Sequence, residues 1–397
     1  MNILHLSHRI PYPPNKGDKV RSFHQIEYLG TRHDVWSAFF VDDPADWQHV
    51  TVLRKWCRDV VAIPLGRKRA TVRGLARLAL GGTLSEGFYR DARMIRALRR
   101  WSEIVHFDAA LIYSSSMAPY ERYIQARRKV MDFADWDSAK WATYAKRCSG
   151  PKAWIWGVEA RRLRHHEIEW LHRFDAGIVV TEAEAKQVPT NGDRVKAKLH
   201  VVGNGVIPGD EPVCRCDGAP PRIGFVGQMD YLPNVDAVCW FAAEVFPKIR
   251  QREPGTVFQI VGRAPTRQVR ALSHRDGVEV IGPVEDVRPY LEGFAVSVAP
   301  LRIAQGLQNK VLEAMAAARP VVLTSLAAKG IDAVDGQHFV VADSAAAIAE
   351  AVTDNLLHRQ RAAALGAAAR ALVKKRYSWA HEMAKLESIL LNGLNGS

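Results

Sequence analysis

The chain has few cysteines and no long apolar run, and both shortages exclude classes of function. Its longest apolar stretches are 176–181, 294–301 and the Ala-rich segment 360–373. Each falls short of the roughly 20 residues a membrane span needs or is broken by charge. The amino-terminal Met-Asn-Ile-Leu-His-Leu-Ser alternates and then meets a polar loop. A secretory leader needs positive charge followed by a longer apolar core, so a cytoplasmic protein without a signal peptide is expected. The five cysteines (Cys57, Cys148, Cys214, Cys216, Cys239) are odd in number and scattered, which suits reduced thiols rather than a disulfide framework. The Cys214-Arg-Cys216 pair has no second pair and no neighbouring histidine, which argues against zinc. Neither a Cys/His finger nor the aromatic–basic interleaving of an RNA module occurs, so nucleic acid is not expected as a partner.

What is present is length and positive charge. With 397 residues, 48% hydrophobic and 24% charged, the chain is long enough for two soluble domains. Its net charge of +13 is concentrated: residues 54–100 hold thirteen Arg and Lys against three acids. There Arg69, Arg73 and Arg77 recur every four residues, with Val72, Leu75, Ala76 and Ala79 on another side. That spacing predicts a basic amphipathic helix, suited to an anionic membrane surface, an anionic substrate, or solvent alone.

Apolar runs of strand length alternate with helical stretches in two series. The first comprises strands at 3–6, 35–41, 109–113, 129–133 and 176–180, with helices at 20–29 and 157–174. The second runs through strands at 222–226, 257–261, 278–281, 295–299 and 321–323. Helices are expected between them at 235–251, 266–273, 287–291 and 308–318, then at 345–373 and 379–391. Alternation of this kind implies parallel sheets covered on both faces. A turn-dense stretch at 201–221 helps to place the junction near 185–220. Domains at 1–200 and 201–379 follow, with the helix 380–397 returning to the first. Ligands bind beyond the carboxyl ends of such strands, so the chemistry belongs in the strand-to-helix loops.

The most informative loop lies in 298–323. A strand ends near Ala299-Pro300, Gly306 interrupts the loop, and a helix starts near Gln308. A glycine lets backbone N–H groups approach a ligand, and a helix N-terminus favours negative charge, so a diphosphate suits the place. Lys310 and Glu313 share one helix face, offering a cation for phosphate and an acceptor-only carboxylate for hydroxyls. The same spacing also describes an ordinary surface ion pair.

The segment Lys-Val-Leu-Glu-Ala-Met-Ala-Ala-Ala-Arg-Pro-Val-Val (310–322) resembles the signature helix of the family-4 retaining glycosyltransferases. Val202-Gly-Asn-Gly-Val206, Ile223-Gly-Phe-Val-Gly-Gln228, Ile260-Val-Gly-Arg263 and Val280-Ile-Gly-Pro-Val284 resemble further motifs of that family. The resemblance implies the GT-B fold, two Rossmann-like doubly wound α/β domains facing across a cleft. It also implies a nucleotide-sugar donor, a glycan or lipid-linked acceptor, retention at the anomeric carbon, and no catalytic metal or cofactor. Glu313 would hold the ribose. Gln305 stands where the family has a glutamate on the donor sugar, so the identity of the sugar is open. The diphosphate-clamping Arg and Lys that follow the Phe-Val-Gly loop in the family are missing from Gln228–Asp236, leaving Lys310 and Arg263 to supply that charge. The combination of Gly-Gln-Met-Asp-Tyr-Leu-Pro-Asn-Val-Asp-Ala-Val-Cys-Trp-Phe (227–241) with Gly-Leu-Gln-Asn-Lys-Val-Leu-Glu-Ala-Met-Ala (306–316) looks closest to the sugar transferases of PEP-CTERM/exosortase exopolysaccharide systems, peripheral at the inner face of the membrane.

In the first half, Gly17 lies where the family often has a Gly-Gly near the donor phosphate, and it reads equally as part of a plain polar loop. Asp132, Asp135 and Asp137 follow a strand end beside Trp136. Carboxylates beside aromatics suit sugar binding, and they also suit a helix cap. Asp135 is the residue selected for a catalytic role there, with Lys310 as its counterpart in the second half. His165, His166 and Glu169 read as surface contacts. A sugar-nucleotide epimerase or a catalytically weak sugar-nucleotide-binding subunit are the alternatives.

Overall fold

The computed structural model describes residues 1–14, 17–186, 188, 197–207, 220–304 and 306–394. The chain forms two units, Met1–Gly203 joined by the carboxy-terminal residues from Glu382, and Asn204–His381.

The first unit is built on seven parallel strands: β1 (Asn2–Ser7), β2 (Asp34–Val41), β3 (Asp59–Pro64), β4 (Phe107–Tyr113), β5 (Ala126–Ala134), β6 (Ala176–Val179) and β7 (Leu199–Val201), in the order β3-β2-β1-β4-β5-β6-β7. β1 and β4 are almost wholly buried, as a central parallel strand covered on both faces must be. The helices are α1 (Gly17–Gly30), α2 (Arg67–Ala79), α3 (Leu84–Tyr89), α4 (Ala92–Ile104), α5 (Asp137–Arg147) and a long α6 (Pro151–Arg173). Local signals set their ends: Thr83 Oγ1 accepts from Glu86 N at 3.1 Å, and Asp91 Oδ1 from Arg93 N at 2.8 Å.

The second unit holds six parallel strands: β8 (Arg222–Val226), β9 (Val257–Val261), β10 (Val278–Gly282), β11 (Val296–Ala299), β12 (Val321–Leu323) and β13 (Val340–Val341), in the order β10-β9-β8-β11-β12-β13. Each sheet winds outward from its first strand and then restarts on that strand's other side. The winding reverses between β1 and β4 and again between β8 and β11, which makes both sheets doubly wound.

Three expectations need correction. β3, β7 and β13 were not foreseen: β3 lies inside the basic stretch, where charge on its flanks masks a short apolar core. The Ala-rich segment is two helices, Ala345–Leu357 and Arg359–Arg376, because the backbone leaves the helical region at His358 (φ −105°, ψ 64°). The helix expected over 235–251 is α7 (Leu232–Trp240), followed by a π-helical turn at Phe241–Val245 and a further helix at Phe246–Arg252.

α2 departs furthest from its predicted picture. Its buried residues are Ala70, Gly74 and Leu78. Arg73 and Arg77 lie beside them, half-buried: Arg73 Nη2 donates to the Phe88 carbonyl at 3.1 Å, and Arg77 Nε lies 3.4 Å from Glu86. Two of the three arginines of the expected solvent stripe therefore hold α3. The long helix Trp379–Leu391, called α9 here, joins the first unit from Glu382 onward. Glu387 accepts from Tyr28 Oη at 3.2 Å and contacts His33 Nε2 at 2.7 Å, while Arg128 Nε donates to the Ile389 carbonyl at 2.9 Å.

Packing is close at Gly224 on β8, where an added Cβ would lie 1.9 Å from Phe294 Cε2. Gly224→Ala should therefore lower unfolding stability by about 1–3 kcal/mol through overpacking, and Phe294→Leu in the same chain should restore part of it, as read by urea denaturation.

Candidate functional site

The reversal of strand order between β8 and β11 leaves a crevice at their carboxyl ends, framed by the loops that leave them. The first loop begins at Gly227 and leads into α7; the second runs from Pro300 to α8 (Asn309–Ala316). Lys310 sits in the first turn of α8 and reaches across to the other side. Its Nζ donates to Asn234 Oδ1 on α7 at 2.8 Å and lies 5.4 Å from the ring centroid of Phe225 on β8. Asn234 is buried and fixed in turn, its Nδ2 donating to the Gln228 carbonyl at 2.9 Å. The ammonium is thus positioned by a neutral amide and an aromatic face, with its charge uncancelled by a contact carboxylate.

Glu313 lies one turn on. It is partly buried, and among the described residues its carboxylate has no hydrogen-bond or ion-pair partner. Lys310 and Glu313 are therefore not an ordinary surface ion pair: the cation bonds to an amide and the anion keeps its acceptor capacity. Burial lowers Lys310 to about 8, with the Glu313 charge opposing. Burial likewise raises Glu313 to about 7, opposed by Lys310. Partial burial without a bonded counter-ion moves the two pKa values towards each other.

Gly306 adopts φ +65° in the loop before α8, a conformation that favours glycine. Gln305, beside it, lies outside the described residues, as do Cys214 and Cys216. The Val202-Gly-Asn-Gly-Val206 turn reaches this helix too, with Asn204 Nδ2 donating to Asn309 Oδ1 at 3.0 Å. Arg263 follows β9. Its carbonyl accepts from Met229 N at 2.8 Å, which ties the β9 loop to the β8 loop, and its side chain is exposed without a partner among the described residues.

The three aspartates of the first unit separate into different roles. Asp132 is fully buried at the end of β5 and accepts from Arg21 Nε at 2.8 Å, Gln25 Nε2 at 2.6 Å and Ala134 N at 3.0 Å. Arg21 continues to the Gly203 carbonyl at 2.9 Å, and Gly203 N donates to Glu382 at 2.5 Å. These bonds hold Asp132 and Arg21 in a buried network. Asp137 starts α5, accepting from Ser115 Oγ at 2.8 Å and from Lys140. Asp135 is exposed in the loop between them. Gly17 is the first residue of α1, rather than a loop residue. His165 and His166 lie 3.3 and 3.2 Å from Glu169 on the surface of α6.

Asn234, Phe225 and Asn204 were not singled out from the sequence. Asn234 carried a readable signal, a polar residue placed inside the apolar Leu-Pro-Asn-Val-Asp-Ala-Val run.

Residues 220–358 match the family "Glycosyl transferases group 1". The match covers the β8 and β11 loops together with α7 and α8. No curated protein matches the chain by sequence. Among solved structures, HepE of Anabaena in complex with UDP is similar with a TM-score of 0.69 at 13% identity, covering 98% of this chain and 99% of that one. Sucrose-phosphate synthase from Thermosynechococcus elongatus has a TM-score of 0.72 at 14% identity, with 100% of both chains covered. A TarM mutant of S. aureus, in complex with fondaparinux, α-GlcNAc-glycerol and UDP, has a TM-score of 0.68 at 11% identity over 98% of this chain and 99% of that one. The fold is GT-B. In the second GT-B domain the switch-point crevice carries Lys310 and Glu313, and in the first the equivalent end of the sheet carries the buried Arg21–Asp132 pair.

Breaking that pair leaves a buried charge without a partner. Asp132→Ala should lower the stability of the first unit by about 3–5 kcal/mol, and Arg21→Met added to it should cost less than the two single changes together, measured by guanidinium unfolding.

Proposed function

We propose that the protein is a glycosyltransferase that moves a sugar from a nucleoside-diphosphate sugar to a glycan or lipid-linked acceptor, with retention, in exopolysaccharide assembly. The observation that carries the reading is the uncancelled Lys310 cation beside the unpartnered Glu313 carboxylate, at the switch point of the domain matched to the group 1 transferases. In the reaction the bond from the anomeric carbon to the diphosphate oxygen breaks, and a bond from that carbon to an acceptor hydroxyl forms. The acceptor proton leaves with the departing diphosphate. Lys310 and the N–H groups of α8 stabilise the negative charge that develops there, which is where fixed charge lowers a barrier most. Glu313 accepts from ribose hydroxyls, with Gly306 and Gln305 beside the donor and Arg263 as a second cation. Asp135 is the carboxylate proposed to act at the sugar. The basic region 54–100 is proposed to meet an anionic membrane surface.

UDP is bound by the solved HepE and TarM complexes, and UDP-glucose by another HepE structure, so uridine donors come first in any panel. Transfer or hydrolysis of one donor in such a panel is the expected result. Lys310→Ala should then lose about 10²–10³ in turnover, and Glu313→Ala about 10–100-fold in nucleotide affinity. Asp135→Asn should lower turnover while leaving nucleotide affinity unchanged. Binding without turnover of any donor would favour a sugar-nucleotide-binding subunit instead, a reading to which the missing Arg/Lys clamp in 228–236 points.

The pH dependence has a definite sign. Glu313 accepts best when ionised, so affinity for a nucleoside diphosphate falls as pH drops through about 7. Lys310 attracts phosphate only when protonated, so affinity also falls as pH rises through about 8. Calorimetric titration should give a maximum between these values. Glu313→Gln should remove the acid limb that the protein contributes, and Lys310→Met the alkaline one.

A further inference from the structure

α2 is built inside out. The face it turns to the protein is made of Ala70, Gly74 and Leu78, flanked by the inward-bonded Arg73 and Arg77. Small residues there let α3 approach closely: a Cβ on Gly74 would lie 2.9 Å from the Leu84 carbonyl, and one on Gly87 2.6 Å from the Arg73 carbonyl. α2 and α3 are pinned further by α6, where Glu159 accepts from Leu84 N at 2.6 Å and from Ser85 N at 2.9 Å. The bulky apolar residues are left on the opposite side. Val72 is 67% exposed, Leu75 45% and Leu80 80%, with Ala76 and Ala79 exposed between them. Lys68 and Arg69 are exposed in the first turn of the same helix and have no salt-bridge partner among the described residues.

A surface helix of a soluble protein ordinarily turns its apolar stripe inward. Here the outward arc is apolar and flanked by cations, and it belongs to a rigidly held helix in a region carrying most of the chain's net positive charge. No helix among the described residues is long and apolar enough to cross a membrane. The chemistry complementary to an apolar arc rimmed by Lys and Arg is an apolar layer beneath an anionic one.

We infer that α2 is an interfacial anchor that lies in the headgroup layer of an anionic bilayer, inserting Val72, Leu75 and Leu80 while Lys68 and Arg69 contact lipid phosphates. This deepens the membrane part of the proposed function and rests on it, but assigns the contact to the outward apolar arc instead of an arginine stripe. Arg73 and Arg77 hold the helix to the protein and take no part in lipid contact.

The test is flotation of the full chain with vesicles of phosphatidylcholine alone or mixed with phosphatidylglycerol, at low and high salt. The wild-type chain should float with the mixed vesicles and be released by salt. Lys68→Glu with Arg69→Glu should weaken binding by on the order of 25-fold, about fivefold for each cation lost. Leu75→Asp with Leu80→Asp should weaken it by at least about tenfold at low salt. Val334→Asp, at an exposed apolar residue of the second unit, should leave it unchanged. These positions are at the surface, and an unaltered urea midpoint verifies that each variant is folded. Wild-type chain that stays with the soluble fraction, or arc variants that float as well as wild type, would overturn the inference. So would dimers in sedimentation velocity that Leu80→Asp disperses without any vesicle binding, since the arc would then be covered by a second copy. Nucleoside-diphosphate affinity measured on the same variants separates the two claims. Affinity kept with vesicle binding absent sinks only the anchor, and vesicle binding kept with no nucleotide affinity sinks only the transferase reading.

Discussion

Parallel pairing governs both halves of this molecule. A parallel strand must be covered on both faces, so each is followed by a crossover that returns the chain to the same starting edge. All strand exits therefore lie at one end of each sheet, and where the winding reverses the two loops leaving adjacent strands diverge and leave a crevice. In the second unit those loops follow β8 and β11. Lys310, Asn234 and Phe225 come from three separate elements and meet there because the strand order leaves them no other place.

Charge is handled in two ways in this fold. Arg21 and Asp132 are bonded to each other: the carboxylate accepts from Arg21, Gln25 and a backbone N–H, and the guanidinium passes on to the Gly203 carbonyl. It orders α1, the end of β5 and the Gly203–Glu382 contact. Lys310 and Glu313 form an open arrangement, dehydrated but not bonded to each other, with pKa values brought towards neutrality from opposite directions. Dehydrated groups with unspent bonding capacity are what an anionic, hydroxyl-bearing ligand requires. α2 shows the same principle in apolar form, since small residues take the inner face and bulky aliphatic side chains are left facing outward.

Much of the fold was legible because the signals are local. The strands at 222–226, 257–261 and 321–323 and the helix 379–391 agree with the bounds read from apolar runs, since runs of that length between turn residues have few alternatives. β3 was hidden because the charges flanking it obscure a six-residue strand, and the break at His358 because neither glycine nor proline marks it. Which face of α2 packs inward stayed open for a different reason. Periodicity separates two sides of a helix but does not say which one a neighbour will cover, and here Gly74 and Gly87 decided that by allowing α3 to approach.

By itself the sequence determined the parallel α/β architecture, the two-part division and the helix carrying Lys310 and Glu313, because each rests on patterns within a few tens of residues. Only the tertiary structure decided what those side chains are free to do. It gave Lys310 to Asn234, 76 positions away, left Glu313 without a hydrogen-bond or ion-pair partner among the described residues, and withdrew Asp132 into a buried pair with Arg21, 111 positions away. Contacts across such separations depend on strand order, and strand order is a property of the assembled sheet.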